Sequence, residues 1–233
     1  MKPQLACFER LGTDGWRALE ATVAAAREHG LLVLADGKRG DVPVTARAYG
    51  QALVGETPTP WGAVAGLGAD AFTANPLLGR DSLEPLVEAA DASAAGCFVL
   101  VRTSNPGAAD VQDFAGGEGP LHESLARIVA ELGADRVGEC GLSSIGAVTG
   151  ATRPELLERL RELMPSAIFL LPGVGAQGGA VEDLAAAFRP HAAAGLIAAS
   201  RSIVNAAADG DDHAEAAAAA AEDMRRAAWA LAC

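Results

Sequence analysis

Three charged residues in a short stretch, Asp36, Lys38 and Asp41, stand in the segment Ala35-Asp36-Gly37-Lys38-Arg39-Gly40-Asp41, where Gly37 and Gly40 let the backbone turn tightly. Alternation at the end of a strand puts Asp36 and Lys38 on one side. An ammonium flanked by two carboxylates is held in its charged form, so Lys38 reads as an acid and not as a nucleophile. Chemistry that leaves a carbanion needs such a group: a cation to stabilise the growing negative charge and a proton to quench it. Loss of carbon dioxide is chemistry of that kind, and a carboxylate beside the leaving group also repels it in the ground state. Taken alone, the same D-x-K-x-x-D pattern reads more readily as a solvated charged turn.

A second candidate cluster lies far along the chain. The turn Pro172-Gly173-Val174-Gly175-Ala176-Gln177-Gly178-Gly179 offers closely spaced backbone N–H groups, a cradle suited to phosphate. The next unit ends at Ser200-Arg201, which adds a guanidinium capable of a bidentate clamp. Gln177 and Arg201 are the expected phosphate ligands. The bland alternative for the glycine turn is a flexible loop.

Repeated strand–helix units must position these residues. Strands are predicted at Leu31 to Ala35, Ala71 to Ala74, Cys97 to Val101, Ile145 to Thr149, Ala167 to Leu171 and Gly195 to Ala199. Amphipathic helices are predicted at Trp16 to Glu28, Ser82 to Ala90, Leu121 to Leu132, Pro154 to Leu163 and Val181 to Phe188, and a solvated terminal helix at Ala214 to Ala232. Thr13 or Asp14, Asp81 and Thr152 are the expected caps. Thr57 to Gly68 reads as an irregular insertion. Polar residues fall just after most strands, as in a (β/α)8 TIM barrel, where phosphate sites commonly follow strands seven and eight. An open doubly wound sheet is the rival, but no GxGxxG follows a first strand. A single domain over residues 1–233 is expected.

Composition narrows the function classes. A net charge of -12 and a pI near 4.7 disfavour nucleic acid and anionic membranes as partners, so an anionic substrate needs a local positive site. Cys7, Cys97, Cys140 and Cys233 are widely separated and include no CxxC pair, which argues against a disulfide scaffold or a zinc site and for a cytoplasmic location. No apolar run is long enough to span a membrane. His122, His191 and His213 are read as surface residues without hydrogen-bonding partners.

The stretch DGKRGDVPVTARAYGQAL resembles the signature of orotidine 5'-phosphate decarboxylases, and its KRGD form is similar to a bacterial subgroup of that family. The resemblance continues through Lys2-Pro3-Gln4, Asn75-Pro76 with Leu78-Gly79-Arg80-Asp81-Ser82-Leu83, Thr103-Ser104-Asn105-Pro106-Gly107, Val148-Thr149-Gly150-Ala151-Thr152, the Pro172 to Gly179 turn and Ser200-Arg201-Ser202-Ile203, in family order. It implies a cofactor-free, metal-free conversion of orotidine 5'-monophosphate to uridine 5'-monophosphate in pyrimidine biosynthesis. Lys38 would protonate pyrimidine C6, and Asp36 would sit against the departing carboxylate. Lys2 would join the charged network near the ribose, and Ser104 would bond the pyrimidine. Pro172, Gln177, Ser200 and Arg201 would lie at the phosphate, while Asp41 and Thr45 would reach the neighbouring site of a homodimer.

The family pattern begins earlier than this chain does, with a strand ending in Asp, a helix, and a second strand ending in Lys. Here Met1 immediately precedes that Lys, so about 50 residues of a typical barrel are expected to be absent; Met1 as an internal methionine of a longer reading frame is favoured over a truly short chain, whose missing strands would expose apolar edges. Two alternatives follow: a magnesium-dependent sugar-phosphate decarboxylase or aldolase of the same superfamily, and an inactive nucleotide-binding barrel.

Overall fold

A computed structural model describes residues 1–117, 119–209 and 212–232; Cys233, one of the cysteines considered above, lies outside them. The chain divides into two compact units, Met1–Leu100 and Val101–Cys233.

The first unit contains helices α1 (Leu5–Glu9) and α2 (Gly12–Glu28), strand β1 (Leu34–Arg39), helix α3 (Pro43–Leu53), a hairpin of β2 (Glu56–Thr59) and β3 (Gly62–Ala65), strand β4 (Ala71–Ala74), helix α4 (Arg80–Ala92) and most of β5 (Gly96–Arg102). Strand β4 runs parallel to both β1 and β5, with Ala35 beside Phe72 and Phe72 beside Cys97. Helix α2 buries Leu19, Val23 and Ala26, spaced along one helical face. Helix α3 starts on Pro43, suited to a first helical position, and buries Ala46, Gly50 and Leu53. A Cβ on Gly50 would come within 2.5 Å of the Ala89 side chain, so glycine lets α3 approach α4 closely. Residues 1–4 lie along the free side of β1: Met1 O accepts from Leu34 N at 2.9 Å and Pro3 O from Asp36 N at 3.0 Å.

Several expectations need correction here. The first strand does not occupy Leu31 to Ala35. Leu32 is 74% exposed, and pairing continues through the charged residues to Arg39, whose carbonyl accepts from Asn75 N at 2.7 Å. Neither Thr13, Asp14 nor Asp81 caps a helix: α2 begins after Leu11 and α4 after Gly79, so these residues lie inside the first turns. Thr57 to Gly68 is not irregular, because it includes the β2–β3 hairpin, whose tip carries Trp61 at 92% exposure.

The second unit contains α5 (Ala108–Val111), the short ladder β6 (Ala115–Gly116) and β7 (Gly119–Pro120), α6 (Leu121–Gly133), β8 (Ser143–Thr149), α7 (Leu157–Leu163), β9 (Ala167–Pro172), β10 (Gly195–Ala198), α8 (Arg201–Val204) and α9 (His213–Ala232). Strand β9 lies parallel to both β8 and β10. Ile145, Leu160, Met164, Phe169 and Leu184 fill the core. Thr152 does not cap its unit either: the helical segment opens on Pro154 after Arg153. Residues 181–188 form tight 3-10 turns in place of the expected α-helix. A buried arginine anchors this region. Arg161 donates to the carbonyls of Met164, Ala167, Ala187 and Ala194, and its guanidinium lies 3.7 Å over the Phe169 ring. The histidine reading is corrected for His122 and His191, while His213 is exposed as expected. His122 is buried, with Nδ1 2.9 Å from Gln112 O, and His191 Nε2 lies 2.9 Å from Cys140 O.

Among the described residues no helix is long and apolar enough to cross a membrane.

Candidate active site

Asp36, on β1, is 5% exposed and shared between two ammonium groups. Lys2 Nζ donates to Oδ2 at 2.5 Å, and Lys38 Nζ donates to Oδ1 at 2.6 Å. Burial alone would raise the Asp36 pKa, but the charge and hydrogen bond of Lys2, together with those of Lys38, outweigh it and hold the carboxyl below its usual range. The cluster is thus one carboxylate between two lysines, not one lysine between two carboxylates. Asp41 accepts from Val42 N at 2.7 Å, at the start of α3, and Thr45 is exposed in the first turn of that helix.

The backbone beneath Lys38 departs from simple alternation. Ala35 pairs with Phe72 and Arg39 with Ala74, so Asp36, Gly37 and Lys38 lie opposite the single residue Thr73. Such a bulge re-aims side chains. Lys38 sits at φ 49°, in the left-handed region that costs a lysine energy. Buried Thr73 fills the gap: its hydroxyl accepts from Lys38 N at 2.8 Å and donates to Asp36 Oδ1 at 2.9 Å. Gly37 and Gly40 leave no room for side chains, since added Cβ atoms would stand 2.7 Å from Leu5 Cδ1 and 2.5 Å from Asn75 O. Thr73 was not among the residues singled out from sequence. A lone threonine within the otherwise apolar strand Ala71–Ala74 was the available signal.

In the second unit, Ser104 Oγ donates to Gln177 Oε1 at 2.7 Å. Gly173, at φ 103°, lies against both: a Cβ there would be 2.7 Å from Ser104 Cβ and 2.9 Å from Gln177 Oε1. Pro172 closes β9 and accepts from Ala151 N at 2.9 Å. The expectation of a turn full of free N–H groups is corrected. Gly175 N bonds Gly179 O, Gly178 N bonds Gly175 O, and Gly179 N bonds Gly173 O, which makes the turn rigid and uses three donors internally. Ser200 and Arg201 are exposed at the start of α8, and the Arg201 guanidinium has no ion-pair partner among the described residues.

The segment carrying Ser104 is tied down by residues that sequence reasoning missed. Arg102, itself buried, makes a two-pronged contact with Asp113, Nε to Oδ1 at 2.8 Å and Nη2 to Oδ2 at 3.0 Å. The hydrogen bonds from Arg102, with the nearby charges of Arg102, His122 and Arg153, hold the Asp113 carboxyl below its usual range despite the opposing effect of burial. Gln112 Oε1 accepts from Thr103 N at 2.8 Å, and Ser104 O accepts from Thr152 Oγ1 at 3.0 Å.

Parallel strands alternating with helices, and a buried carboxylate on one of those strands shared between Lys2 and Lys38, place this chain among the α/β-barrel enzymes. The chain belongs to the Orotidine 5'-phosphate decarboxylase / HUMPS family, whose model matches residues 1–219. It is 45% identical over 207 residues to orotidine 5'-phosphate decarboxylase of Rhodopirellula baltica, covering 88% of this chain and 67% of that protein. It is 46% identical over 204 residues to the Deinococcus radiodurans enzyme of the same name, covering 87% of this chain and 70% of that one. The solved structure of Leishmania donovani OMP decarboxylase, 33% identical, superposes with a TM-score of 0.73 over 98% of this chain and 80% of that one. The chain therefore shares the barrel fold expected from its strand–helix alternation.

Proposed function

We propose that this chain carries out the reaction for which its relatives are named, the decarboxylation of orotidine 5'-monophosphate to uridine 5'-monophosphate. The observation that carries the reading is the buried Asp36 carboxylate shared by the ammonium groups of Lys2 and Lys38. The bond from C6 to the carboxylate breaks, carbon dioxide leaves, and the electron pair remains on C6. Lys38 stabilises that charge and delivers a proton to the carbon. Asp36, placed against the departing group, disfavours the bound carboxylate until it leaves.

The remaining roles follow from the family pattern and fit the side chains present. Lys2 serves the ribose end and Ser104 the pyrimidine. Gln177 and Arg201 hold the phosphate beside Pro172 and Ser200; an exposed guanidinium suits that task. Asp41 and Thr45 serve the neighbouring site of a homodimer. The Asp41 carboxylate bonded to Val42 N and the exposure of Thr45 support that assignment. The whole chain works as a single domain in the cytoplasm.

A decarboxylation assay on the 233-residue chain, paired with titration by uridine 5'-monophosphate, separates turnover from binding alone. The expected result is turnover that Lys38→Ala lowers by at least about a hundredfold. Near-normal activity in Lys38→Ala would overturn the assignment of the proton donor, and product binding without turnover would favour an inactive nucleotide-binding barrel.

A further inference from the structure

We propose that Thr73 is a positioning residue for this reaction: its hydroxyl holds the bulge of β1 in the one arrangement that aims Lys38 and orients Asp36 together. The inference rests on the reading of Lys38 as proton donor.

Two hydrogen bonds make the case, and their directions are unambiguous. An amide N–H can only donate, so the Thr73 oxygen accepts from Lys38 N. That leaves the hydroxyl proton for Asp36 Oδ1, a carboxylate that can only accept. Threonine is thus used as donor and acceptor at once, and the residue is fully buried. The Oδ1 it bonds also accepts from Lys38 Nζ, so a single hydroxyl touches both ends of the Lys38–Asp36 unit, the lysine backbone and its carboxylate partner.

The bulge supplies the reason for such a device. Opposite Thr73, β1 carries two more residues than a regular ladder would, and the ordinary backbone partner of Lys38 N–H is missing there. The side-chain oxygen of Thr73 replaces it. Without that bond, nothing on β4 compensates the positive φ of Lys38, and relaxation of the bulge swings the ammonium away. Displacements of about 1 Å in a reacting group can cost on the order of a hundredfold in rate.

The test compares Thr73→Val, which keeps the shape but removes the hydroxyl, with Thr73→Ser, which restores it. Thr73→Val is expected to lower kcat by about tenfold to a hundredfold while KM changes by less than about threefold, and Thr73→Ser to recover most of the loss. A general structural role would instead move kcat, KM and affinity for uridine 5'-monophosphate together. Should Thr73→Val fail to fold, Thr73→Cys takes its place, since a thiol is a weak donor and acceptor of similar size; its kcat should fall clearly below that of Thr73→Ser. The inference is overturned if Thr73→Val retains kcat within twofold of the parent, or if Thr73→Cys matches Thr73→Ser. Lys38→Ala measured alongside distinguishes the failures. An active Lys38→Ala sinks the underlying reading, whereas an inactive Lys38→Ala with an unaffected Thr73→Val sinks only the role of Thr73.

Discussion

Lys2 Nζ and Asp36 Oδ2 stand 2.5 Å apart, an ion pair between the second residue of the chain and the middle of β1. A buried carboxylate is tolerated only when paired, and here the second pairing partner, Lys38, is the one with chemistry to perform. Lys2→Ala leaves Lys38 as the one cationic partner of Asp36, beside the Thr73 hydroxyl. We expect kcat/KM to fall by at least about tenfold, because the carboxylate beside the proton donor loses one of the partners that fix it in place, as measured by steady-state decarboxylation.

The pH dependence of stability follows from the same carboxyl. Asp36 in the folded chain lies below the value of about 3.9 that it takes when unfolded. Its contribution is therefore complete above that unfolded value and disappears as pH falls through the lowered folded one. Asp113 behaves alike, with the same sign. Unfolding midpoints should accordingly hold steady with respect to these two groups from pH 6 to pH 8 and decline below about pH 4. In Asp36→Asn that acidic decline should be shallower.

Binding energy from a group remote from the reaction can lower the barrier as well as improve affinity. Arg201→Ala is therefore expected to lower kcat/KM on the order of a hundredfold, with part of the loss in kcat. A truncated substrate lacking the phosphate should respond little to the same substitution, and comparing the two substrates checks the assignment.

The two buried arginines of the second unit should differ in what they support. Arg161→Ala strands the carbonyls of Met164, Ala167, Ala187 and Ala194 and empties the space over Phe169, so a loss of about 3–5 kcal/mol is expected in urea unfolding. Asp113→Asn removes the charge facing Arg102 and loosens the segment that carries Ser104. About 2 kcal/mol of stability should be lost, accompanied by a rise in KM.

Decarboxylation is expected to survive EDTA. The Lys38–Asp36 pair supplies both the positive charge and the proton. Loss of activity restored by magnesium would instead favour the sugar-phosphate chemistry found on the same barrel.

Much of this arrangement was legible because it is local. Asp36 and Lys38 are two residues apart, and five short apolar runs, at Ala71, Cys97, Ile145, Ala167 and Gly195, became strands to within two residues at either end. Arg102 with Asp113, and Thr73 with Lys38, were not legible, since each joins residues separated by 11 to 35 positions and depends on how the strands pair. Asp41 shows the opposite failure: nearness in sequence suggested a second carboxylate on Lys38, but the start of α3 offered its oxygen a backbone N–H. Helix α3 was overlooked because its buried face carries Ala46 and Gly50, too small to announce a helical period, and only one large apolar residue, Leu53. His122 was misjudged for a related reason, its partners Gln112 and Asp113 arriving from the far end of a turn.

The exposed tip of the β2–β3 hairpin has a practical consequence. Trp61 is 92% exposed, and the other two tryptophans, Trp16 and Trp229, are 42% and 59% exposed. All three indoles of this chain already face water before it unfolds, so their emission should be red-shifted in the native state and change little on denaturation. Fluorescence would make a stable protein look unstructured, and circular dichroism is the signal by which its melting should be followed.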